Sequence, residues 1–151
     1  MASEKKIIRK LFPKLGATDF KVTSDQDPQY NCIAHAADES DRYWDPTAPP
    51  QSPYFWPDGV PRDPTLQNYI AAYATNGYQA SNTLDPEEGY DKVVLYVDAN
   101  GVPTHAAKLL PNGRWTSKLG DEWDIEHKTL HGLSGKAYGT PKQGLRRPKP
   151  K

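Results

Sequence analysis

The chain has 151 residues, 36% of them hydrophobic, and its 19 basic and 19 acidic side chains cancel to a formal net charge of zero. That length suits one domain with a single core, and interspersed charges offer no field of one sign, so neither nucleic acid nor an anionic membrane is an expected partner. No stretch approaches the roughly 20 apolar residues of a spanning helix or the pattern of a secretory signal, and a lone cysteine leaves no internal disulfide, which makes the cytoplasm the expected compartment.

Fifteen prolines and 11 glycines push much of the chain into turns and extended connections. Lys5 to Leu11 predicts a short helix with Ile7, Ile8 and Leu11 on one face, ending before Phe12-Pro13 and packing as an N-terminal flap. Asp19 to Gln29 is polar and reads as extended. Asn31 then caps a helix running through His35 and Ala37 toward Asp38, which places Cys32 in its first turn. Tyr43 to Arg62 carries Trp44, Tyr54, Phe55 and Trp56 among prolines, a composition suited to an irregular loop that roofs a cleft.

Asp63-Pro64 predicts the start of a second helix, with Asp63 as cap, Pro64 in the first position, a stripe of Leu66, Tyr69, Ile70 and Tyr73, and Gly77 as its stop. Tyr78 to Ala80 reads as a short strand and Asp85 to Gly89 as a turn. Three antiparallel strands follow, Val93 to Val97, Val102 to Leu110 and Arg114 to Lys118, joined at Asp98-Ala99-Asn100-Gly101 and Pro111-Asn112-Gly113. Asp121 to Leu130 predicts a last helix, acidic in its first turn, with Lys128 and His131 near its end. Beyond Gly139 the basic, Pro-rich sequence predicts a disordered tail. The expected organisation is therefore a lead-in over 1–29, a folded domain over 30–139 and a tail over 140–151.

Chemistry concentrates first on Cys32. In the opening turn of a helix, unpaired backbone N–H groups favour thiolate over thiol, and the same groups are suited to an oxyanion formed when sulfur attacks a carbonyl. His105, on the middle predicted strand with small Ala106 and Ala107 beside it, is the candidate base. The competing reading is that Cys32 is a small buried hydrophobe and His105 a half-buried strand residue. An orienting partner is expected across the hairpin near Lys118 to Gly120, with Ser117 adjacent. Cys32 and His35, three apart on a helix, suit zinc together with His105 or His127, but the sequence lacks a second Cys-x-x-Cys or His-x-Glu element, so no metal or cofactor is expected. His127 and His131, one turn apart on the predicted last helix, have the spacing of a metal pair, but Lys128 and the helix terminus favour a solvated, dipole-matched surface.

The run His105-Ala106-Ala107-Lys108-Leu109-Leu110-Pro111-Asn112-Gly113-Arg114-Trp115-Thr116-Ser117 resembles the His-strand, turn and strand of NlpC/P60-type papain-like peptidases. That resemblance implies an α+β papain-like fold, with a Cys-bearing helix packed on a small antiparallel sheet. It also places Ser117 as the third residue that orients the imidazole, with Asp121 and Asp124 as substitutes. Gln26 lies upstream of Cys32 at a spacing similar to that of the oxyanion glutamine of such enzymes. More closely, Tyr30-Asn31-Cys32-Ile33-Ala34, Trp56-Pro57-Asp58-Gly59-Val60-Pro61, Pro103-Thr104-His105-Ala106-Ala107, Trp115-Thr116-Ser117-Lys118-Leu119-Gly120 and Asp124-Ile125-Glu126-His127 together resemble an uncharacterised bacterial family of small proteins. That likeness implies tryptophan at the position of His35.

The resulting expectation is a thiol hydrolase or acyltransferase acting on an amide, isopeptide or thioester bond of a peptide or protein substrate. Cys32 attacks, His105 moves the proton, and Tyr30, Asn31, Trp56 and Trp115 line the cleft. The rival expectations are a non-catalytic interaction or immunity-type module on the same fold, binding through the aromatic, Pro-rich loop, and a zinc-binding module.

Overall fold

Val93 and Leu95 point one way and Val94 and Tyr96 the other, and all four are fully buried, so the strand that carries them has a core on each side. The computed structural model describes residues 2–40, 42–47, 54–119 and 122–150. The chain runs through α1 (Ala2–Leu11), β1 (Phe20–Val22), α2 (Cys32–Ala36), α3 (Leu66–Ala74), β2 (Gln79–Ser81), β3 (Tyr90–Val97), β4 (Pro103–Leu109), β5 (Trp115–Lys118), β6 (Asp124–His127), a 3-10 turn (His131–Leu133) and β7 (Thr140–Pro148). All strands join one seven-stranded antiparallel sheet in the order β1-β6-β5-β4-β3-β7-β2. The fold is α+β, and its sheet is larger than the small one expected.

One face of the sheet packs α2 and α3. Ile33, Ala34 and Ala36 meet Val93, Leu95, Ala106 and Leu145 there, with Tyr69, Tyr73 and Trp44 completing the layer. The other face packs α1 and the 3-10 turn, where Ile8, Phe12, Leu15 and Leu133 cover Val94, Tyr96, Ala107, Trp115 and Ile125. Of the three apolar α1 residues expected on one face, only Ile8 is buried; Ile7 and Leu11 remain exposed. α3 begins two residues later than the Asp63-Pro64 signal, because Thr65 is the cap and its hydroxyl accepts from the Asn68 N–H.

Two elements differ in kind from the sequence expectation. Asp124–His127 is β6, not the middle of a last helix, and it pairs with β1 on one side and β5 on the other. Its residues alternate: Ile125 enters the core beneath α1, while Asp124 faces Tyr30 on the α2 side. With both faces buried, period 2 overrides the helical pattern suggested by the charges. The basic segment expected as a disordered tail is β7, inserted between β3 and β2. Its arginines are paired, Arg146 with Glu87 and Arg147 with Asp91 and Asp38, and Leu145 is fully buried. The Glu87 carboxylate is held down at about 2, first by its hydrogen bond from Lys92, then by Ser81 and Arg146.

Gly144 lies where β7 passes under the Ser81–Thr83 turn, and a β-carbon there would stand 2.1 Å from the Thr83 carbonyl oxygen. Backbone cannot yield as a flexible side chain does. Gly144→Ala is therefore expected to lose about 1–3 kcal/mol of stability, measured as a lowered urea midpoint. An unchanged midpoint would mean that β7 does not hold this register.

Candidate functional site

The site begins with Asn31. Its backbone is extended (φ −112°, ψ −178°), and its side-chain oxygen accepts from the Ala34 N–H at 3.1 Å, which caps α2 as the sequence predicts. The same oxygen accepts from the Trp44 N–H at 3.1 Å, and its amide nitrogen donates to the Trp44 carbonyl at 2.6 Å. One side chain thus starts the helix and pins the aromatic loop over it. Trp44 packs against Phe55 and Tyr73, and the Tyr73 hydroxyl donates to the Ile33 carbonyl at 2.7 Å.

Cys32 is the first residue of α2 and is 8% exposed. Its sulfur lies 4.0 Å from the Thr104 carbonyl oxygen and lines a cavity of about 270 Å³ whose walls include Asn31, Trp44, Tyr69, Thr104 and Tyr138. Burial pushes the thiol up to about 11, outweighing the backbone groups of Ala106, Ile33 and Cys32 and the charge of Lys118, which pull it down. A helix of five residues supplies too few aligned peptides to reverse that balance.

His105 is not at this cavity's wall. Ala106 belongs to the core beneath α2, and its neighbours on β4 point the other way: Ala107 packs in the opposite core, and the His105 ring stacks on Tyr138 at 4.0 Å and meets Tyr96 edge-on at 5.2 Å. The bulge in the β3–β4 pairing falls before His105, so alternation from His105 to Lys108 is regular. The structure therefore puts the sulfur and the imidazole on opposite faces of the sheet. His105 is fully buried, neither ring nitrogen has a hydrogen-bond partner among the described residues, and burial, with His127 and His35 adding to it, holds the imidazole well below its ordinary value.

The other expected residues divide in the same way. Ser117 shares the His105 face, but its hydroxyl is 2.8 Å from His127 Nε2, and the residues across from β4 at this level are Lys108 with Thr116 and Leu109 with Trp115, so Ser117 stands short of His105. Trp115 is in the α1-side core, away from the Cys32 cavity. Trp56 is buried against Tyr69, with its indole N–H donating to the Pro61 carbonyl. Gln26 is exposed and bonded to Glu122. Asp121 lies outside the described residues. His127 is a strand residue and His131 sits in the 3-10 turn, so the two are not a helical pair. Among the described residues no three of His, Cys, Asp and Glu converge as a metal would require.

Asp124, expected as a substitute orienting residue, and Tyr30, expected in the cleft, do meet, but beside His35 rather than His105. The Tyr30 hydroxyl donates to Asp124 Oδ2 at 2.6 Å, Lys118 Nζ lies 3.6 Å from Oδ1 and 4.2 Å over the Tyr30 ring, and His35 Nδ1 faces Oδ2 at 3.8 Å. The other His35 nitrogen, Nε2, is 3.0 Å from the Thr116 hydroxyl. This polar cluster lies under α2 and reaches a second cavity of about 400 Å³, at whose wall stand His35, Thr116, Lys108 and Asp38. The available signal was the alternation of Thr116, Lys118, Asp124 and Glu126 on one face of β5 and β6, which becomes visible once Asp124–His127 is read as a strand.

The model of the family described as Domain of unknown function (DUF7689) matches residues 21–146, most of the chain, and the protein belongs to that family. No curated protein and no solved structure matches it. The matched segment runs from within β1 into β7, so it includes α2, α3 and the strands β2 to β6. Among the described residues, no helix is long and apolar enough to cross a membrane.

Asn31→Ala removes the cap and both Trp44 bonds together, and is expected to cost about 2 kcal/mol or more, with Trp44 emission moving to longer wavelength as the loop lifts. For the buried imidazoles the sign follows from proton counting. His127, lowered by burial to about 4, and His105, also held well below its ordinary value by burial, bind protons less readily in the folded chain than in the unfolded one, where they titrate near 6.5. Their contribution is complete above about pH 6.5 and falls away as the pH drops toward 4, with a slope of about 1.4 kcal/mol per pH unit for each group. His105→Phe keeps the ring between Tyr138 and Tyr96 and removes two unpartnered nitrogens. It should raise stability by about 1 kcal/mol at pH 7 and reduce the acid slope by one proton, both readable from urea titrations at stepped pH.

Proposed function

We propose that the protein is a partner-binding module that receives an aromatic or proline side chain of a peptide or protein in the cavity beside Cys32, with Cys32 as wall rather than nucleophile. The observation that carries this reading is the separation of sulfur and imidazole by the β4 strand, together with a thiol that burial keeps protonated. Proton transfer between two groups needs hydrogen-bond reach, directly or through one water. What remains at the cavity is recognition chemistry: Tyr43, Trp44 and Tyr69 supply aromatic residues at its wall, and Asn31 and Asp45 a polar margin. Aromatic-lined grooves of this kind suit extended Pro-rich segments, whose stiffness lowers the entropy lost on binding. An accessory or immunity-type role in a reducing cytoplasm is compatible with this chemistry, since binding needs no thiol reaction.

A second reading, a papain-like thiol hydrolase or acyltransferase, is favoured by one observation: Cys32 opens α2 and lines a cavity. The pH dependence of iodoacetamide labelling separates the two. The binding reading expects a rate that follows a group titrating near 11 and is unchanged in His105→Phe. A titration below the free-thiol value of about 8.5 that moves when His105 is replaced would overturn it in favour of thiol chemistry. Binding itself is measured with fluorescein-labelled peptides rich in Tyr and Pro: Tyr69→Ala should weaken them at least tenfold while His105→Phe leaves the affinity unchanged. Failure of all such peptides to bind the wild-type chain would sink the proposal.

A further inference from the structure

The cavity at the far end of α2 holds the arrangement that the Cys32 cavity lacks. Thr116 Oγ1 and His35 Nε2 are 3.0 Å apart, a hydrogen bond in which the hydroxyl donates when Nδ1 carries the ring proton. Nδ1 is turned toward Asp124 Oδ2 at 3.8 Å, and Asp124 is itself fixed by the Tyr30 hydroxyl at 2.6 Å, with Oδ1 buried and without a hydrogen-bond partner among the described residues. Lys108 stands directly across from Thr116 in the β4–β5 register, and its ammonium lines the same cavity. The order is carboxylate, imidazole, hydroxyl, with Lys108, ion-paired to Asp38, at the wall of the same cavity.

We propose that this second cavity is a hydrolytic site for small acyl esters, with Thr116 as nucleophile, His35 as general base and acid, Lys108 as the charge that meets the oxyanion, and Asp124 as a positioning residue. It goes beyond the binding role assigned to the Cys32 cavity and does not depend on it. The Thr116 O–H proton passes to Nε2 as Oγ1 bonds to the acyl carbon, and the carbonyl electron pair moves onto its oxygen beside Lys108. When that pair returns, the ester C–O bond breaks and the leaving oxygen takes the proton from Nε2. A water then gives one proton to Nε2 and adds its hydroxide to the acyl-threonine. The C–Oγ1 bond breaks, Thr116 recovers its proton and a carboxylic acid departs.

The base must be neutral to act, and the surroundings of His35 favour that form. Burial lowers its imidazole, opposed by Asp124 and Asp38 and assisted by Lys118 and Lys108, the charged groups that face it from β6, the end of α2, β5 and β4.

The probe is p-nitrophenyl acetate with the full chain. The expected result is a burst of p-nitrophenolate, an acetyl adduct mapped to Thr116, and a loss of at least 100-fold in kcat/KM for both Thr116→Val and His35→Ala. Thr116→Ser retains the burst, and His131→Ala, at an exposed imidazole outside the site, leaves the rate unchanged. Asp124→Asn lowers kcat and moves the acid limb of kcat/KM to lower pH, since it removes a charge that raises His35; a merely structural loss would leave the limb in place. A wild-type chain without a burst, an acetyl group found only on lysines, or Thr116→Val and His35→Ala variants as fast as wild type would overturn the proposal. Peptide binding at the Cys32 cavity would survive that outcome, so the two readings fail separately.

Discussion

The three hydrogen bonds of the Asn31 side chain decide how everything on the α2 side of the sheet is arranged. A five-residue helix has little stability of its own, because nucleating a turn costs more than so few internal bonds return. Asn31 compensates by satisfying an orphan N–H of the helix and, with the same amide, both backbone groups of Trp44. Aspartate could accept the two N–H bonds but could not donate to the Trp44 carbonyl, so the position needs an amide. Trp44 then bridges outward: its indole N–H reaches Glu39, its ring meets Phe55 and Tyr73, and Tyr73 returns to the Ile33 carbonyl. The start of α2, Trp44 and α3 form one closed circuit, and Asn31, Ile33 and Trp44 of that circuit stand at the wall of the Cys32 cavity.

The sheet has the opposite role, since it divides. Both of its faces are covered, and successive side chains of β4 belong to different cores. Ala106 is small because α2 rests on it, with the Cys32 sulfur near the neighbouring Thr104 carbonyl. His105, one residue along, is committed to the Tyr96 and Tyr138 rings on the far side. Moving its imidazole to the sulfur would require a one-residue slip of β4, which would also bury Lys108 among the apolar residues under α1 and withdraw Ala106 from α2. The register that makes the core is thus the one that separates the two groups.

Much of this was legible in the sequence. The Asn31 cap, the entry of Cys32 into a first helical turn, the α3 stripe and the three-strand meander all follow from local rules, and the structure has each of them. What was not legible is what local rules cannot carry. Asp124–His127 is charged enough to read as a surface helix, and only the presence of β1 and β5 on either side makes its alternation meaningful. Residues 140–148 have the composition of a solvated tail, yet Glu87, Asp91 and Asp38, each far away in the chain, neutralise Arg146 and Arg147 and let the strand lie inside the sheet. The pairing of Cys32 with His105 rested on chain order, which does not contain the face of a strand. The His35 cluster is hidden in the sequence because its members come from α2, β5 and β6, and the charges of β6 suggest a helix.

The last of these links also explains a backbone oddity at the end of α2. Asp38 is the one described non-glycine residue at positive φ, 65°, where a glycine would ordinarily close the helix and an L side chain costs about 1–2 kcal/mol. A glycine there would have no carboxylate, and that carboxylate bridges Lys108 on β4 and Arg147 on β7. The strain is offset by tying the end of the helix to two strands at once. The sharing matters chemically as well: an aspartate divided between two cations neutralises neither completely, so Lys108 keeps part of its positive field in the cavity it lines with Thr116 and His35. β7, unreadable as structure from its composition, is through Arg147 a determinant of the electrostatics at the other end of α2.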